Sequence, residues 1–198
     1  MPRREPFVRG RYYHIYNRGA GRQAIFIEER NYTYVLRLLK KVANECDITV
    51  VAYCLLPNHY HWLLRQDGAT PAGKVPARVF GSYTQAFNRA YERTGTLFEG
   101  PYNALAVEAG THFVNLCCYI HLNAVHHGLV DTPDQWLYSN YLEWIDKRQG
   151  TLVDRDLVRN YFAAPQEYEG FVRNAQLQTF QDAASFLEGK GLVHEDWT

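Results

Sequence analysis

The stretch ITVVAYCLLPNHYHWLLR, residues 48–65, decides the predicted fold. Its first half, Ile48–Leu56, is rich in β-branched and apolar residues, which is typical of a largely buried strand. Pro57 and Asn58 favour a turn, and residues 59–65 again have the composition of a strand. The stretch therefore predicts an antiparallel β-hairpin that turns at Pro57-Asn58.

Strands and helices alternate on either side of this hairpin. Residues 12–17 are aromatic and β-branched and predict a strand, while apolar residues at three- and four-residue spacing predict an amphipathic helix over residues 28–44. Beyond the hairpin, the patterns predict a helix over residues 77–92 and a fourth strand over residues 102–108. The order β-α-β-β-α-β is that of an α+β, ferredoxin-like fold with an antiparallel sheet.

A third helix and a C-terminal extension are predicted after this core. The third helix opens at Gly110-Thr111, with Thr111 as its N-cap, and runs to about residue 124. The pattern after residue 136 is mainly helical and acidic, with Pro165 as a break. We therefore predict a domain at residues 1–130 and a helical extension at residues 131–198 that packs on it.

The composition is that of a domain that folds without disulfides or a structural metal. Hydrophobic residues make up 46% of the 198 residues, which is enough for a buried core. The sequence has no run of roughly 18 apolar residues that could span a membrane, and no apolar signal segment follows the charged N-terminus. The four cysteines form no CxxC pair, which favours reduced thiols and a cytoplasmic protein.

The net charge of zero conceals an asymmetry between the two halves of the chain. Residues 1–105 contain fifteen Lys/Arg and eight Asp/Glu, a net charge of +7, whereas residues 106–198 contain six and thirteen, a net charge of −7. A basic surface rich in aromatic residues suits single-stranded nucleic acid, because phosphates bind cations and bases stack on rings. An ordinary domain with an acidic tail would give the same pattern.

His59 and His61 are the first candidate site residues. Side chains alternate between the faces of a strand, so both histidines point to one face and Tyr60 to the other. Two imidazoles on a central strand can hold one metal ion. We expect that site to be reachable from solvent, and imidazoles buried without access to solvent would count against a metal site. An HxH pattern by itself also fits histidines that only form hydrogen bonds at the end of a strand.

Tyr119 and Asn123 are the second candidate pair. They lie four residues apart and therefore share one face of the predicted third helix. If this helix packs across the sheet, the tyrosine and the asparagine amide can lie beside the histidines. A buried structural tyrosine fits equally well, because the chain contains fifteen tyrosines. His121 lies on a different helix face and is interpreted as a structural or substrate-side residue.

Together these segments resemble the HUH single-tyrosine transposases, and in particular the branch of REP-associated tyrosine transposases. The resemblance covers residues 12–142 in the correct order and, more thinly, residues 168–172. It is carried by the segments YHIYNRG (13–19), LPNHYHWLL (56–64), GTLFEGPY (95–102), YIHLNAVHHGLV (119–130) and WLYSNY (136–141). Ala124 stands where the family usually has proline, and His126 where it has a basic residue; these departures concern the helix end and a DNA contact.

The resemblance implies transesterification at a phosphodiester of single-stranded DNA. Tyr119 would be the nucleophile and form a 5′-phosphotyrosine, while His59, His61 and Asn123 would hold a divalent metal ion, Mg²⁺ or Mn²⁺. The implied partner is single-stranded DNA with a hairpin, a REP-like palindromic element, and no membrane is involved.

Assembly and two other functions stay open at this point. Related transposases form dimers with shared sites, but the short link Ala109-Gly110 and the long acidic segment after residue 128 favour a monomer with Tyr119 acting in cis. A histidine-triad nucleotide hydrolase also has alternating histidines, but its third histidine would fall at Leu63. The other alternative is a non-catalytic hairpin-DNA-binding protein descended from a transposase.

Overall fold

The computed structural model describes residues 6–175, so the part of the predicted extension beyond residue 175 lies outside the described residues. Contacts divide the chain into two compact units. The first consists of Met1–Val50 and Leu55–Val107, and the second of Val51–Cys54 and Glu108–Thr198. The predicted domain boundary at residue 130 does not coincide with this division in packing and stays a prediction.

The predicted β-α-β-β-α-β order is confirmed. The elements are β1 (Tyr12–Arg18), α1 (Glu29–Cys46), β2 (Ile48–Leu56), β3 (His59–Gln66), α2 (Lys74–Ala90) and β4 (Asn103–Val107). The strands form one sheet in the order β2-β3-β1-β4, with β1 antiparallel to both of its neighbours. This is the ferredoxin-like α+β arrangement, and β3 is one of its two interior strands.

Helix α1 forms where the apolar spacing predicted it. At its start, Asn31 Oδ1 accepts a hydrogen bond from the Glu28 N–H at 3.0 Å, as part of a capping box. At its end, Asp47 adopts the left-handed conformation with φ of 54°. Val35 and Leu39 are fully buried, so the predicted apolar face is the one that packs in the core.

Helix α2 begins at Lys74, earlier than the predicted residue 77, because proline is tolerated in a first helical turn. Pro76 lies in that turn, where a backbone N–H has no partner within the helix. The helix also ends earlier than predicted, at Ala90, and Glu92 beyond it has a positive φ of 50°. Buried Phe80 anchors the helix to the sheet.

The register of the sheet places different chemistry on its two faces. Tyr16 pairs with His61 across β1 and β3, and residues that pair directly across two strands lie on the same face. On the opposite face, Tyr60 and Trp62 stack on Phe80 of α2, with ring centroids 4.2 and 4.9 Å apart. The prediction that Tyr60 points away from the histidines is therefore confirmed.

The second unit is mainly helical in its described part. Its helices are α3 (Thr111–His126), α4 (Tyr141–Trp144), α5 (Arg155–Tyr161) and α6 (Pro165–Asn174). The predicted N-cap at Thr111 is wrong: the cap is Gly110, whose φ of 121° suits glycine better than any other residue. With alanine rather than proline at position 124, α3 continues through His126. Pro165 separates α5 from α6 by opening the latter.

Helix α3 is buried on nearly all sides. Every residue from 116 to 124 is buried, including the polar residues His121 and Asn123. Within the described residues 6–175, neither this helix nor any other combines the length and the apolar character needed to cross a membrane.

Asn140 is the polar centre of the second unit and is fully buried. Its Oδ1 accepts a hydrogen bond from the Tyr53 N–H at 2.8 Å, and its Nδ2 donates to the Val51 carbonyl at 2.9 Å. Trp144 Nε1 donates to the same Val51 carbonyl at 3.0 Å. These bonds tie residues 51–54, which are part of β2, to the helical segments of the second unit.

Candidate active site

His59 and His61 lie side by side on one face of β3. Their ring centroids are 5.2 Å apart and the ring planes are nearly perpendicular, at 89°. The alternation of a strand brings them together, and β3 is held on one side by β1 in a continuous antiparallel register. The prediction that both imidazoles share a face of a central antiparallel strand is confirmed.

Each of these two rings forms a hydrogen bond at Nδ1. His59 Nδ1 lies 2.7 Å from Asn58 Oδ1, and His61 Nδ1 lies 3.0 Å from His14 Nε2. Asn58 Oδ1 can only accept, so the proton of that bond belongs to His59 Nδ1. A neutral imidazole protonated at Nδ1 presents the lone pair of Nε2, which is the state of a metal-ligating histidine.

His14 on β1 is a residue of this face that the sequence did not identify. It is fully buried, and burial lowers the pKa of its imidazole to about 3, so the ring is neutral at physiological pH. Its strand was predicted, but the contact with His61 depends on the pairing of β1 with β3. The signal that could have found it is a histidine on the strand that neighbours β3 in a ferredoxin-like order.

The expected access to solvent is wrong, and this result counts against a preformed metal site that is open to solvent. His59 and His61 are only 4% and 2% exposed. The rings of His14 and Tyr16 stack against His61, with centroids 5.2 and 5.8 Å away and interplanar angles of 12° and 25°. The aromatic neighbours on β1 thus fill the space beside His61 that the sequence left open.

Tyr119 and Asn123 come together on α3. Both are buried, and Asn123 Nδ2 donates a hydrogen bond to the Tyr119 carbonyl at 2.9 Å. This bond orients the amide, and its Oδ1 is a buried atom that accepts no hydrogen bond from any residue in the described part of the chain. A buried carbonyl oxygen of this kind is costly unless another group, such as a cation, interacts with it.

The cysteines beside Tyr119 are poor candidate nucleophiles. Cys117 and Cys118 are buried, and burial raises the pKa of both thiols, that of Cys118 to about 12. A thiol with so high a pKa stays protonated at neutral pH, and the protonated thiol is a poor nucleophile.

His121, on the same helix, has a structural role. Its Nδ1 lies 2.6 Å from the Tyr168 hydroxyl and its Nε2 lies 3.0 Å from Asn140 Oδ1, so both ring nitrogens are hydrogen-bonded within the second unit. Burial lowers the pKa of His121 to about 4 despite the bond to Asn140. Of the two interpretations predicted for this residue, the geometry selects the structural one.

The four predicted site residues therefore form two pairs. His59 and His61 belong to the first unit, whereas Tyr119 and Asn123 belong to the second, and a joint site made of both pairs stays a prediction. Among the residues that the structure describes, no group of three or more His, Cys, Asp or Glu could hold a metal ion. A site of two histidines and one amide oxygen lies outside that definition, and its donor atoms fit a divalent ion with mixed N/O ligands.

Comparison with known proteins identifies a family. The model of the family described as "Transposase IS200 like" matches residues 7–123, more than half of the chain. This segment contains all four predicted site residues. A comparison with curated proteins found no match.

Solved structures with the same fold include a REP-associated tyrosine transposase bound to a REP hairpin. It is 16% identical in sequence, with a TM-score of 0.65, over 78% of this chain and 94% of that chain. A transposase-like protein of Deinococcus radiodurans R1 matches with 18% identity and a TM-score of 0.42, over 55% of this chain and 87% of that one. The tRNA(His) guanylyltransferase of Saccharomyces cerevisiae matches with 10% identity and a TM-score of 0.46, over 99% of this chain and 84% of that one.

Proposed function

Because the chain belongs to the IS200-like transposase family, we propose that it is a metal-dependent enzyme that cuts and rejoins single-stranded DNA. The observation that carries the proposal is the pair His59 and His61 on one face of β3, with one ring bonded to an acceptor at Nδ1 and the other to His14. Histidines oriented in this way are typical of metal ligands. The proposed substrate is a DNA hairpin flanked by single strand, of the REP-like palindromic type to which one structure of the same fold is bound.

The proposed nucleophile is the hydroxyl of Tyr119. Its oxygen attacks phosphorus, the bond from phosphorus to the 3′-oxygen breaks, and the products are a 5′-phosphotyrosine and a free 3′-hydroxyl. The tyrosine proton is lost, and the leaving 3′-oxygen gains one. Tyrosine has an ordinary pKa of about 10, so its hydroxyl needs activation to react at neutral pH.

His59, His61 and Asn123 are the proposed metal ligands. They would contribute two imidazole nitrogens and the Oδ1 of the amide, a donor set that accepts Mn²⁺ and also Mg²⁺. When bound there, the ion would supply Lewis-acid chemistry, polarising the scissile phosphate and stabilising charge on its oxygens. The burial of both histidines requires this face to open for DNA, so we propose that substrate binding is coupled to a movement of the covering groups.

A nicking assay with end-labelled single-stranded hairpin DNA and Mn²⁺ tests this function. Wild type should cleave and become covalently attached to the 5′-phosphate, whereas Tyr119→Phe should do neither and still bind the hairpin, since it lacks only the hydroxyl. Cys118→Ser is a matched control on the same helix and should remain active. Hairpin binding without cleavage by wild type would instead support the non-catalytic alternative.

We further propose that the protein acts as a monomer with Tyr119 in cis. The short connection between β4 and α3, residues 108–110, limits how far the tyrosine helix can lie from its own chain's sheet. Mixing a His61→Ala chain with a Tyr119→Phe chain tests this assembly. The mixture should stay inactive; restored cleavage would show a site shared between two chains.

A further inference from the structure

We propose that His14 is a positioning residue that holds His61 in the tautomer able to bind metal. This inference rests on the proposed function, because it concerns one of the proposed ligands. The observation behind it is the 3.0 Å contact between His14 Nε2 and His61 Nδ1, buried inside the histidine-bearing face.

The contact between two neutral imidazoles contains one proton, and its position decides what His61 can do. If His61 Nδ1 donates, Nε2 of His61 carries the lone pair that a metal ion needs. If His14 Nε2 donates, His61 is protonated at Nε2 and cannot be a ligand there. A third state, with one ring charged, is disfavoured because His14 is fully buried.

The geometry of His14 indicates a defined acceptor rather than a chance neighbour. Its ring plane is nearly parallel to that of His61, at 12°, and the two facing nitrogens are 3.0 Å apart, which is within hydrogen-bond distance. Tyr16 stacks on His14 at 4.9 Å with an angle of 26° and restricts rotation of the ring.

The two proposed ligands on β3 are hydrogen-bonded to groups of different chemistry: Asn58 Oδ1 can only accept a hydrogen bond, whereas His14 Nε2 can donate or accept one. Asn58 Oδ1, beside His59, has no proton to give, so it always imposes the ligand tautomer on that ring. His14 can either give or accept a proton, so it imposes the ligand tautomer on His61 only when its own proton is on Nδ1. His61 is therefore the ligand whose readiness depends on a neighbouring side chain.

Titration of Mn²⁺ into the whole chain, followed by electron paramagnetic resonance, measures this role. His14→Phe keeps a ring of similar size but removes the acceptor, and should weaken Mn²⁺ binding by about 10–100-fold, as is typical for loss of a partner of a metal-ligating histidine. His14→Gln, whose Oε1 can replace Nε2 as acceptor, should restore binding close to wild type. Ile15→Val, a buried neighbour on the other face of β1, controls for general loosening and should bind Mn²⁺ as wild type does.

Long-range ¹H–¹⁵N spectra of wild type with saturating Mg²⁺ test the tautomer without any variant, and so remain decisive if His14→Phe does not fold. They should show His61 protonated at Nδ1. Protonation at Nε2, or unchanged Mn²⁺ affinity of a folded His14→Phe chain, would overturn the role of His14. His61→Ala separates the two proposals: if it too binds Mn²⁺ normally, the metal site itself is wrong, whereas normal binding by His14→Phe alone rejects only the positioning role.

Discussion

Buried histidines occur in both units of this protein, His121 in the second and His14, His59 and His61 in the first, and their hydrogen bonds differ in kind. In the second unit, His121 uses both ring nitrogens, one with Tyr168 and the other with Asn140. In the first unit, His59 is hydrogen-bonded through Nδ1 to Asn58, and His61 is hydrogen-bonded through Nδ1 to His14. Equal burial therefore does not mean equal function.

The difference teaches how to separate a structural histidine from a candidate ligand. A ring such as His121, with both nitrogens hydrogen-bonded to residues of its own unit, stabilises the fold. A ring oriented through Nδ1 presents Nε2 to whatever binds on its face, as is typical of histidines that hold metal. The consequences for variants are opposite: changes near His61 should affect chemistry, and changes near His121 should affect stability.

The largest expected effect is the contrast between His61→Ala, which should lose cleavage activity, and His121→Ala, which should lose thermal stability. His61→Ala should lower the cleavage rate by a factor on the order of 10³, because a Lewis-acid metal contributes several kcal/mol and each 1.4 kcal/mol is tenfold in rate. His121→Ala should instead lower the melting temperature and, below it, keep Mn²⁺ binding. Rates from the nicking assay and thermal melts of both variants measure this; a His61→Ala chain that cuts at the wild-type rate would remove the distinction.

Asn140→Ala should have the next largest effect, on stability. The amide oxygen accepts a hydrogen bond from the Tyr53 N–H and lies 3.0 Å from His121 Nε2, so its loss removes the acceptor of two buried groups, each costing about 1–3 kcal/mol. The Val51 carbonyl keeps its hydrogen bond from Trp144. We expect a loss of about 3 kcal/mol or more in the free energy of unfolding, measured by denaturant titration. Asn88→Ala, which removes one bond to the Gly95 carbonyl, is the control and should cost far less. Equal losses in the two variants would show that the network around Asn140 is not special.

The smallest expected effect is a pH dependence of stability that His121 contributes. Its pKa is lowered to about 4 in the folded protein from an ordinary 6.5, so the unfolded chain binds more protons between these values. Stability from this group is therefore complete above pH 6.5 and is lost as the pH falls towards 4, by about 2 kcal/mol between pH 7.5 and pH 5. Denaturant titrations at a series of pH values give the slope of the free energy of unfolding against pH. This slope should become smaller, though not zero, in His121→Gln, since His14 contributes in the same direction. An unchanged slope would mean that His121 is not the buried neutral group described here.

The sequence by itself determined the order of strands and helices, and which residues share a face within each element. Alternation along β3 is a local property of the extended chain, so it placed His59 and His61 on one face and Tyr60 on the other before any tertiary contact was known. The four-residue spacing of Tyr119 and Asn123 is likewise a property of the helix itself. The signals for helix ends were less reliable. The N-cap of α3 is Gly110 rather than Thr111, and α2 begins before Pro76 rather than after it, because composition alone does not reveal a backbone dihedral or a proline in the first turn.

Only the tertiary structure decided which groups surround those residues. His14 reaches His61 because β1 pairs with β3 over a register that no single strand encodes. Asn140 reaches Tyr53 and Val51 across a separation of more than 80 residues, and the rings of His14 and Tyr16 beside His61 come from another strand. The physical reason is the same in each case: hydrogen bonds and burial depend on distances in space, whereas sequence patterns report only the neighbours along one element.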